Sequence, residues 1–184
     1  MNYFLGFYPN QESSYRVGKI ISTLDSIFDG QNIKVRWVTP DKYHISLLYL
    51  GSDLNFIERF LLDWKLKNFK IPAIKVKFDK VAVGISRGYK ELVYFTIGEG
   101  GEEMRKLTFD LRNLLKKNDS EKFIPHLTLG RISKDLSDEE FKNITLDVRE
   151  MNKGLKLDDI SFTTKKLLLI QSDTTTYQVV KEYL

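Results

Sequence analysis

The spacing of apolar residues changes along the chain and predicts an alternation of strands and helices. In the first third, apolar residues recur at intervals of three and four, as on one face of a helix, at Val17, Ile20, Ile21, Leu24, Ile27 and Phe28. Gly30 marks the end of that helix. The segments Tyr3–Phe7, Val35–Val38 and Tyr43–Leu50 are predicted strands, the last two separated by a turn at Pro40. This part of the chain is therefore expected to run strand, helix, strand, strand.

The middle of the chain continues the same mixture. A second helix is predicted to begin near Ser52 or Asp53, with a buried face formed by Leu54, Ile57, Phe60, Leu61 and Trp64. Alternating, β-branched residues in Ile71–Ile85 and Glu91–Ile97 predict a hairpin, joined by the glycine-containing segment Ser86–Lys90. A third helix is expected to present an apolar face at Met104, Leu107, Leu111, Leu114 and Leu115.

Towards the end of the chain, the pattern predicts one more helix between strands. The segment His126–Ile132 is a predicted strand. Ser137 with Glu140 has the form of a capping box before a short helix, in which hydroxyl and carboxylate each satisfy a backbone N–H. Two strands, roughly Leu157–Gln171 and Tyr177–Tyr183, complete the pattern. Because no low-complexity or Pro/Gly/Ser-rich linker divides it, the whole chain, 1–184, is expected to form one domain.

Composition narrows the class of protein. Apolar residues make up 42% and charged residues 29% of the chain, as in soluble globular proteins. There is no cysteine, which excludes disulfides, thiolate metal ligands and a cysteine nucleophile, and favours a cytoplasmic location. The longest apolar run, Leu167–Ile170, is far shorter than the roughly 20 residues that cross a bilayer. Lys and Arg exceed Asp and Glu by four (29 against 25), which mildly favours an anionic partner.

One four-residue pattern occurs twice. Histidine, an aliphatic residue, a hydroxyl and leucine follow one another in His44-Ile45-Ser46-Leu47 and again, 82 residues later, in His126-Leu127-Thr128-Leu129. These are the only two histidines of the chain. Because side chains alternate along a strand, each histidine shares a face with the hydroxyl two residues later, while the aliphatic residues face the core. If the two strands lie side by side about a pseudo-twofold axis, two imidazoles and two hydroxyls meet in one cleft.

Such a set suits the cleavage of a phosphodiester. The attacking water must lose a proton and the leaving oxygen must gain one, and histidine titrates close enough to neutral pH for either role. Ser46 and Thr128 are expected to donate hydrogen bonds to the non-bridging oxygens. The alternatives are partly buried histidines with satisfied hydrogen bonds and hydroxyls bonded locally, and the repetition argues against both. No metal site is expected, because no carboxylate stands at a recognisable ligand spacing from the histidines.

The surroundings of the two motifs resemble a known family. Over nearly the whole chain the sequence is similar to the two-histidine (2H) phosphoesterases, and most closely to the bacterial and archaeal RNA 2′,3′-cyclic phosphodiesterases, also called 2′-5′ RNA ligases. The matching segments are Arg36–Val38, His44–Gly51 and Pro125–Arg131, with Ser172 and Tyr177 as a weaker third match. Two features depart from the family: Ser46 replaces its usual threonine, and Thr174-Thr175-Thr176 stands where relatives often carry proline and glycine.

The resemblance implies a bilobal α+β fold, with two antiparallel β-sheets related by pseudo-twofold symmetry, helices on the outside and a central catalytic groove. It implies opening of a 2′,3′-cyclic phosphate, at an RNA end or in a nucleoside, to a 2′-phosphate without metal or cofactor, and a capacity for 2′-5′ ligation. The resemblance assigns His44 as the proton donor and His126 as the proton acceptor. Arg131 would bind phosphate, provided that a bulge near Gly130 turns it back to the face of His126.

Other residues near the motifs are predicted to be structural. Tyr49 alternates away from His44 and is expected in the core. Tyr177, Arg36 and Trp37 are candidates to line the groove or stack a base, although a structural role is expected for each. Besides the cyclic phosphodiesterase, a nucleotide- or RNA-binding module with the same groove and a 2H enzyme for another small cyclic phosphate or a 2′-5′ oligonucleotide remain open. The protein is expected to be a monomer.

Overall fold

Two antiparallel sheets and the helices packed on them form the protein. The computed structural model describes residues 1–85, 90–117, 123–157, 159–173 and 176–184. Its helices are α1 (Gln11–Gly30), α2 (Phe56–Leu66), α3 (Gly101–Leu115) and α4 (Asp138–Gly154). Its strands are β1 (Asn2–Phe7), β2 (Val35–Trp37), β3 (Ile45–Ser52), β4 (Ile74–Val83), β5 (Leu92–Ile97), β6 (His126–Ile132), β7 (Ser161–Thr164), β8 (Leu167–Ser172) and β9 (Tyr177–Tyr183).

Each sheet holds one of the two motif strands. The four-stranded sheet has the order β3-β1-β8-β9, and the five-stranded sheet has the order β2-β6-β5-β4-β7. The α+β fold with two antiparallel sheets is therefore confirmed. The strands of the two motifs are not hydrogen-bonded neighbours, because β3 pairs with β1 and β6 pairs with β2 and β5. The motifs meet across the space between two sheets.

One apolar core joins both sheets and all four helices. Its fully buried members include Phe7 from the first sheet, Phe95 from the second and Phe28 from α1. α1 packs on α4, which covers β4, while α3 packs against α2 and β3. No helix in the described part of the chain is long and apolar enough to cross a membrane.

Most predicted elements are confirmed, with boundaries that follow local capping. α1 begins where the Asn10 side chain accepts a hydrogen bond of 2.8 Å from the backbone N–H of Ser13, and it ends at Gly30 as expected. The capping box of Ser137 and Glu140 is present at the start of α4. The helix that follows it is not short, however, and runs for 17 residues. Its buried residues, Ile144 and Val148, pack into the core and extend it.

The prediction for α2 was wrong in its start and in its face. The helix begins at Phe56, because Asn55 and Glu58 form a capping box there, and not near Ser52 or Asp53. The buried residues of the helix are Leu62 and Leu66. The face expected to be buried is exposed at Ile57, Phe60, Leu61 and Trp64, and Leu54 lies outside the helix. Apolar residues lie on both sides of α2, so their spacing could not show which side is buried.

The C-terminal strand prediction was too long. The segment Leu157–Gln171 contains two strands, β7 and β8, which belong to different sheets, whereas β9 has the bounds expected for it. Lys165 and Lys166 are exposed between them, where the chain passes from one sheet to the other. Of the predicted hairpin connection Ser86–Lys90, residues 86–89 lie outside the described residues, and so do residues 174 and 175 of the Thr174-Thr175-Thr176 run.

Candidate active site

The two histidines stand at equivalent points of their sheets. His44 follows a 3-10 turn formed by Pro40–Lys42 and immediately precedes β3, while His126 is the first residue of β6. The next residues, Ile45 and Leu127, are fully buried, as the alternation of the motif predicts. Each imidazole is thereby held on the side of its strand that faces away from the core, at the end where the strand begins.

Both motifs open into one cavity of about 370 Å³. The cavity is lined by Arg36, Trp37, Val38, Thr39, Lys42, His44, Ser46, His126, Thr128, Arg131 and Tyr177. The five residues predicted as catalytic or phosphate-binding are therefore together in one space. Arg36, Trp37 and Tyr177, for which a structural role was expected, line the same space. Among these lining residues, three carry a positive charge and none is acidic, so the charge of the lining favours an anion.

Each imidazole makes an equivalent hydrogen bond to the backbone. The Nδ1–H of His44 donates to the carbonyl of Lys42 at 2.8 Å, and the Nδ1–H of His126 donates to the carbonyl of Ile124 at 2.7 Å. Because a carbonyl oxygen can only accept, Nδ1 must carry the proton in both rings. Nε2 is then left as the atom that gains or loses a proton during a reaction. In both cases the accepting carbonyl belongs to the residue two positions before the histidine, outside the motif itself.

Burial favours the neutral form of both imidazoles. It lowers the pKa of His44, the bond to the Lys42 carbonyl acts against this shift, and the charge of His126 lowers it further. Burial also lowers the pKa of His126, against the effect of its Ile124 bond, and the charge of Arg131 adds to the decrease. Both rings line the same cavity, so a positive charge on one imidazole disfavours a second positive charge on the other.

Aromatic rings pack around both histidines, and of these only Tyr177 was a candidate from the sequence. The His44 ring lies 4.6 Å from the ring of Tyr177 and 5.1 Å from that of Phe4, measured between centroids, and Tyr8 meets it edge-on at 6.4 Å. Tyr94 contacts His126 edge-on at 5.4 Å. Phe4 and Tyr94 come from the strands paired with the motif strands, so no signal within the motifs could have found them.

A β-bulge brings Arg131 to the cavity. Along the β5–β6 pair, Tyr94 is opposite Thr128 while Val93 is opposite Gly130, so Leu129 is one residue more than the ladder needs. The extra residue reverses the alternation, and Arg131 returns to the face of His126. This is the bulge near Gly130 on which the sequence-based expectation for Arg131 depended.

The same bulge occurs in the first motif and overturns the prediction for Tyr49. Along the β1–β3 pair, Gly6 is opposite Ser46 while Leu5 is opposite Leu48, so Leu47 is the extra residue. Tyr49 then lies opposite Phe4, whose ring contacts His44, and cross-strand partners point to the same side of a sheet. Tyr49 is exposed and donates a hydrogen bond to Asn2 Oδ1 at 2.9 Å, so it is not a core residue.

Close approach of β2 to β6 forms one wall of the cavity. Trp37 faces Gly130 in the ladder, and a Cβ added at Gly130 would lie 2.7 Å from Trp37 Cε3 and 2.7 Å from Val35 Cγ1. The Trp37 indole N–H donates to Asp25 Oδ1 at 2.6 Å, and its ring meets Phe28 edge-on at 5.7 Å. A glycine is therefore required at the point where the second motif ends.

The described residues contain no group of three or more His, Asp or Glu side chains arranged to hold a metal ion.

Comparison with known proteins identifies the fold. No family model matches the sequence, and no curated protein sequence matches it. The structure matches TT0787 of Thermus thermophilus with a TM-score of 0.72 at 15% identity, over 100% of this chain and 97% of that chain. It matches E. coli LigT complexed with 3′-AMP with a TM-score of 0.71 at 16% identity, over 99% and 96% of the two chains.

A more distant match is Usb1 of Kluyveromyces marxianus, with a TM-score of 0.66 at 9% identity, over 97% of this chain and 96% of that one. These proteins are members of the 2H phosphoesterase superfamily. The chain has the 2H phosphoesterase fold. The three matches cover 97–100% of this chain, so both sheets lie within the matched region. E. coli LigT has also been crystallised with phosphate and with ATP.

Proposed function

We propose that the protein is a phosphoesterase that hydrolyses 2′,3′-cyclic phosphodiesters, at RNA ends or in nucleosides, to 2′-phosphates without a metal ion. The observation that carries the proposal is the doubled arrangement of His44 and His126. Each imidazole is fixed through Nδ1 to a backbone carbonyl, and each has its own hydroxyl beside it in a cavity lined by cationic side chains. The phosphate and 3′-AMP complexes of E. coli LigT, which has the same fold, support an anionic nucleotide as the ligand.

In the proposed reaction, His126 is the proton acceptor. Its neutral Nε2 takes a proton from the attacking water as the new P–O bond forms, and its lowered pKa favours this neutral form. His44 is the proton donor. Its protonated Nε2 gives a proton to the 3′-oxygen as the P–O3′ bond breaks, which leaves a 2′-phosphate and a free 3′-hydroxyl.

The other cavity residues act on the phosphate. Ser46 and Thr128 donate hydrogen bonds to its non-bridging oxygens, where negative charge grows in the transition state. Arg131 and Arg36 supply positive charge from the β2–β6 side of the cavity. A bound phosphate raises the pKa of His44, because an anion nearby favours the charged form, and so it charges the donor when substrate is present.

The test is hydrolysis of nucleoside 2′,3′-cyclic phosphates in the presence of a chelator. His44→Ala and His126→Ala should each lower kcat by about 10²- to 10⁴-fold. Thr128→Ala should weaken turnover, whereas Thr163→Ala is the matched control, because this exposed threonine lies on β7, at the opposite edge of the sheet from β2. The 2′-phosphate is distinguished from the 3′-phosphate by phosphorus NMR of the product.

Two outcomes would replace this proposal. Full activity in either histidine variant would remove the acid/base mechanism. Tight binding of cyclic nucleotides or RNA ends with no turnover would make the protein a binding module that uses the same groove. A substrate panel that includes 2′-5′ oligonucleotides and other small cyclic phosphates separates the RNA-end activity from that of a 2H enzyme with a different substrate, and the reverse reaction tests 2′-5′ ligation.

A further inference from the structure

The outer face of α2 is apolar and exposed. On this helix of 11 residues, Phe56 is 83% exposed, Ile57 67%, Phe60 62%, Leu61 47% and Trp64 66%. At 3.6 residues per turn these five side chains form one continuous stripe, directly opposite the stripe of Leu62 and Leu66 that enters the core. A surface helix normally carries polar residues there, and a helix that is apolar all round is normally covered on both sides.

The charges beside this stripe are arranged in a self-complementary way. Glu58 and Lys65 lie along one edge, and Arg59 and Asp63 lie along the other. When two copies of a helix pack antiparallel about a twofold axis, each edge meets the same edge of the other copy in reverse order. An axis near Leu61 then places Glu58 opposite Lys65 of the second copy.

The second edge is already occupied within the chain. Arg59 stacks on the ring of Tyr3 and donates to its hydroxyl, and Asp63 accepts from the Tyr183 hydroxyl at 2.6 Å and binds Lys181 at 2.7 Å. On the first edge, Lys65 has no salt bridge to any of the described residues. Glu58 uses Oε2 in the helix cap and remains exposed. The Glu58–Lys65 edge is therefore the one available to a second copy.

We propose that the outer face of α2 binds a second copy of this chain, forming a twofold dimer in which the two α2 helices pack antiparallel around Phe60 and Leu61. The sequence alone suggested a monomer. No residue of α2 lines the cavity between the sheets, so each copy keeps a complete and open site. The inference is independent of the proposed function.

The experiment is sedimentation velocity and light scattering over a wide range of protein concentrations. The wild type should change with concentration from 21.5 kDa to twice that mass. Phe60→Glu, at the centre of the stripe, should weaken association at least about 30-fold, as expected for a buried aromatic anchor. Phe109→Glu is the matched control, because Phe109 is 64% exposed on α3, outside the α2 stripe. Circular dichroism checks that both variants remain folded.

A charge exchange tests the antiparallel arrangement. Lys65→Glu should weaken self-association, and so should Glu58→Lys, since each places like charges opposite one another. An equal mixture of the two variants should associate again, because every contact along that edge then joins opposite charges. A wild type that stays monomeric at all concentrations would overturn the proposal. The proposal would be equally wrong if this monomer bound anionic vesicles. If the equal mixture of the two variants fails to associate, the antiparallel arrangement is wrong.

Discussion

Arg36 lies directly opposite Arg131 across the β2–β6 pair, and both side chains line the cavity. Like charges that face each other on neighbouring strands repel. Glu91 offsets part of this repulsion through a contact of 3.3 Å with Arg131, while Arg36 has no ion pair to any described residue. Two adjacent guanidinium groups are stabilised when an anion binds between or beside them. This arrangement supports the proposed role of both arginines in binding phosphate.

Removing either charge should weaken substrate binding. Arg36→Gln and Arg131→Gln should each raise KM roughly tenfold, since a hydrogen bond to a charged group contributes about 1.5–3 kcal/mol and these groups are partly exposed. KM should also depend less steeply on salt in each variant. Arg149→Gln, at an exposed arginine on α4, is the control and should leave both quantities unchanged. An unaltered salt dependence in the cavity variants would contradict the role of the pair.

The rate should have its optimum on the acid side of neutrality. Burial lowers the pKa of His44 and of His126 below the ordinary value of 6.5. Activity in kcat/KM needs His126 neutral and His44 protonated, so the profile should be bell-shaped, with both limbs below that value. Measurement of kcat/KM against pH with a nucleoside 2′,3′-cyclic phosphate tests this. A profile that stays flat from pH 6.5 down to the onset of acid unfolding would disprove it.

The same pKa shifts should appear in the stability of the protein. Well above pH 6.5 both histidines are neutral in the folded and unfolded states, so they add no pH dependence. Below it the unfolded chain takes up protons first, and the free energy of unfolding falls until the folded-state pKa values are reached. The double variant His44→Gln, His126→Gln should lose this part of the decrease. Denaturant unfolding of both proteins at a series of pH values measures the difference.

Gly130 should tolerate no side chain. Gly130→Ala would place a methyl group against Trp37 and Val35 and force β2 away from β6, at a cost of about 1–3 kcal/mol in the free energy of unfolding. Gly154→Ala is the matched control, because nothing lies within 4 Å of a Cβ added there. It should be neutral or stabilising by up to about 1 kcal/mol. Equal effects of the two substitutions, measured by chemical denaturation, would contradict the close approach.

Much of the architecture follows from local patterns. α1 and α3 could be placed because most of their apolar residues occupy one side, and His126–Ile132 because its first four residues alternate. The helix that failed, α2, has apolar residues all round, and only the packing of Leu62 and Leu66 decides which side is buried. The segment from Leu157 to Gln171 is apolar and β-branched over much of its length, so its division between two sheets depends on contacts with distant strands.

The site could be predicted up to the point where strict alternation fails. The repeated spacing predicted that four side chains meet in one cleft: His44, Ser46, His126 and Thr128. Tyr49 was misplaced, because the bulge at Leu47 depends on the pairing with β1, which a motif does not contain. The hydrogen bonds from the histidines to backbone carbonyls could not be predicted either, because they depend on the residues that precede each strand. The positions of the Phe4 and Tyr94 rings depend on the partner strands, β1 and β5.

The position of β1 also determines when the four-stranded sheet, at whose strand β3 His44 lies, can form. β1 lies between β3 and β8, and Asn2 is paired with both Ser52 and Ser172. β1 must therefore wait for β8, which lies about 160 residues further along the chain (Asn2 pairs with Ser172), before its sheet is complete. Pairings this distant in sequence are slow to form. Among the described strands, the second sheet lacks only β7 once β6 has been made, so most of the sheet that carries His126 can pair before β8 and β9 are available.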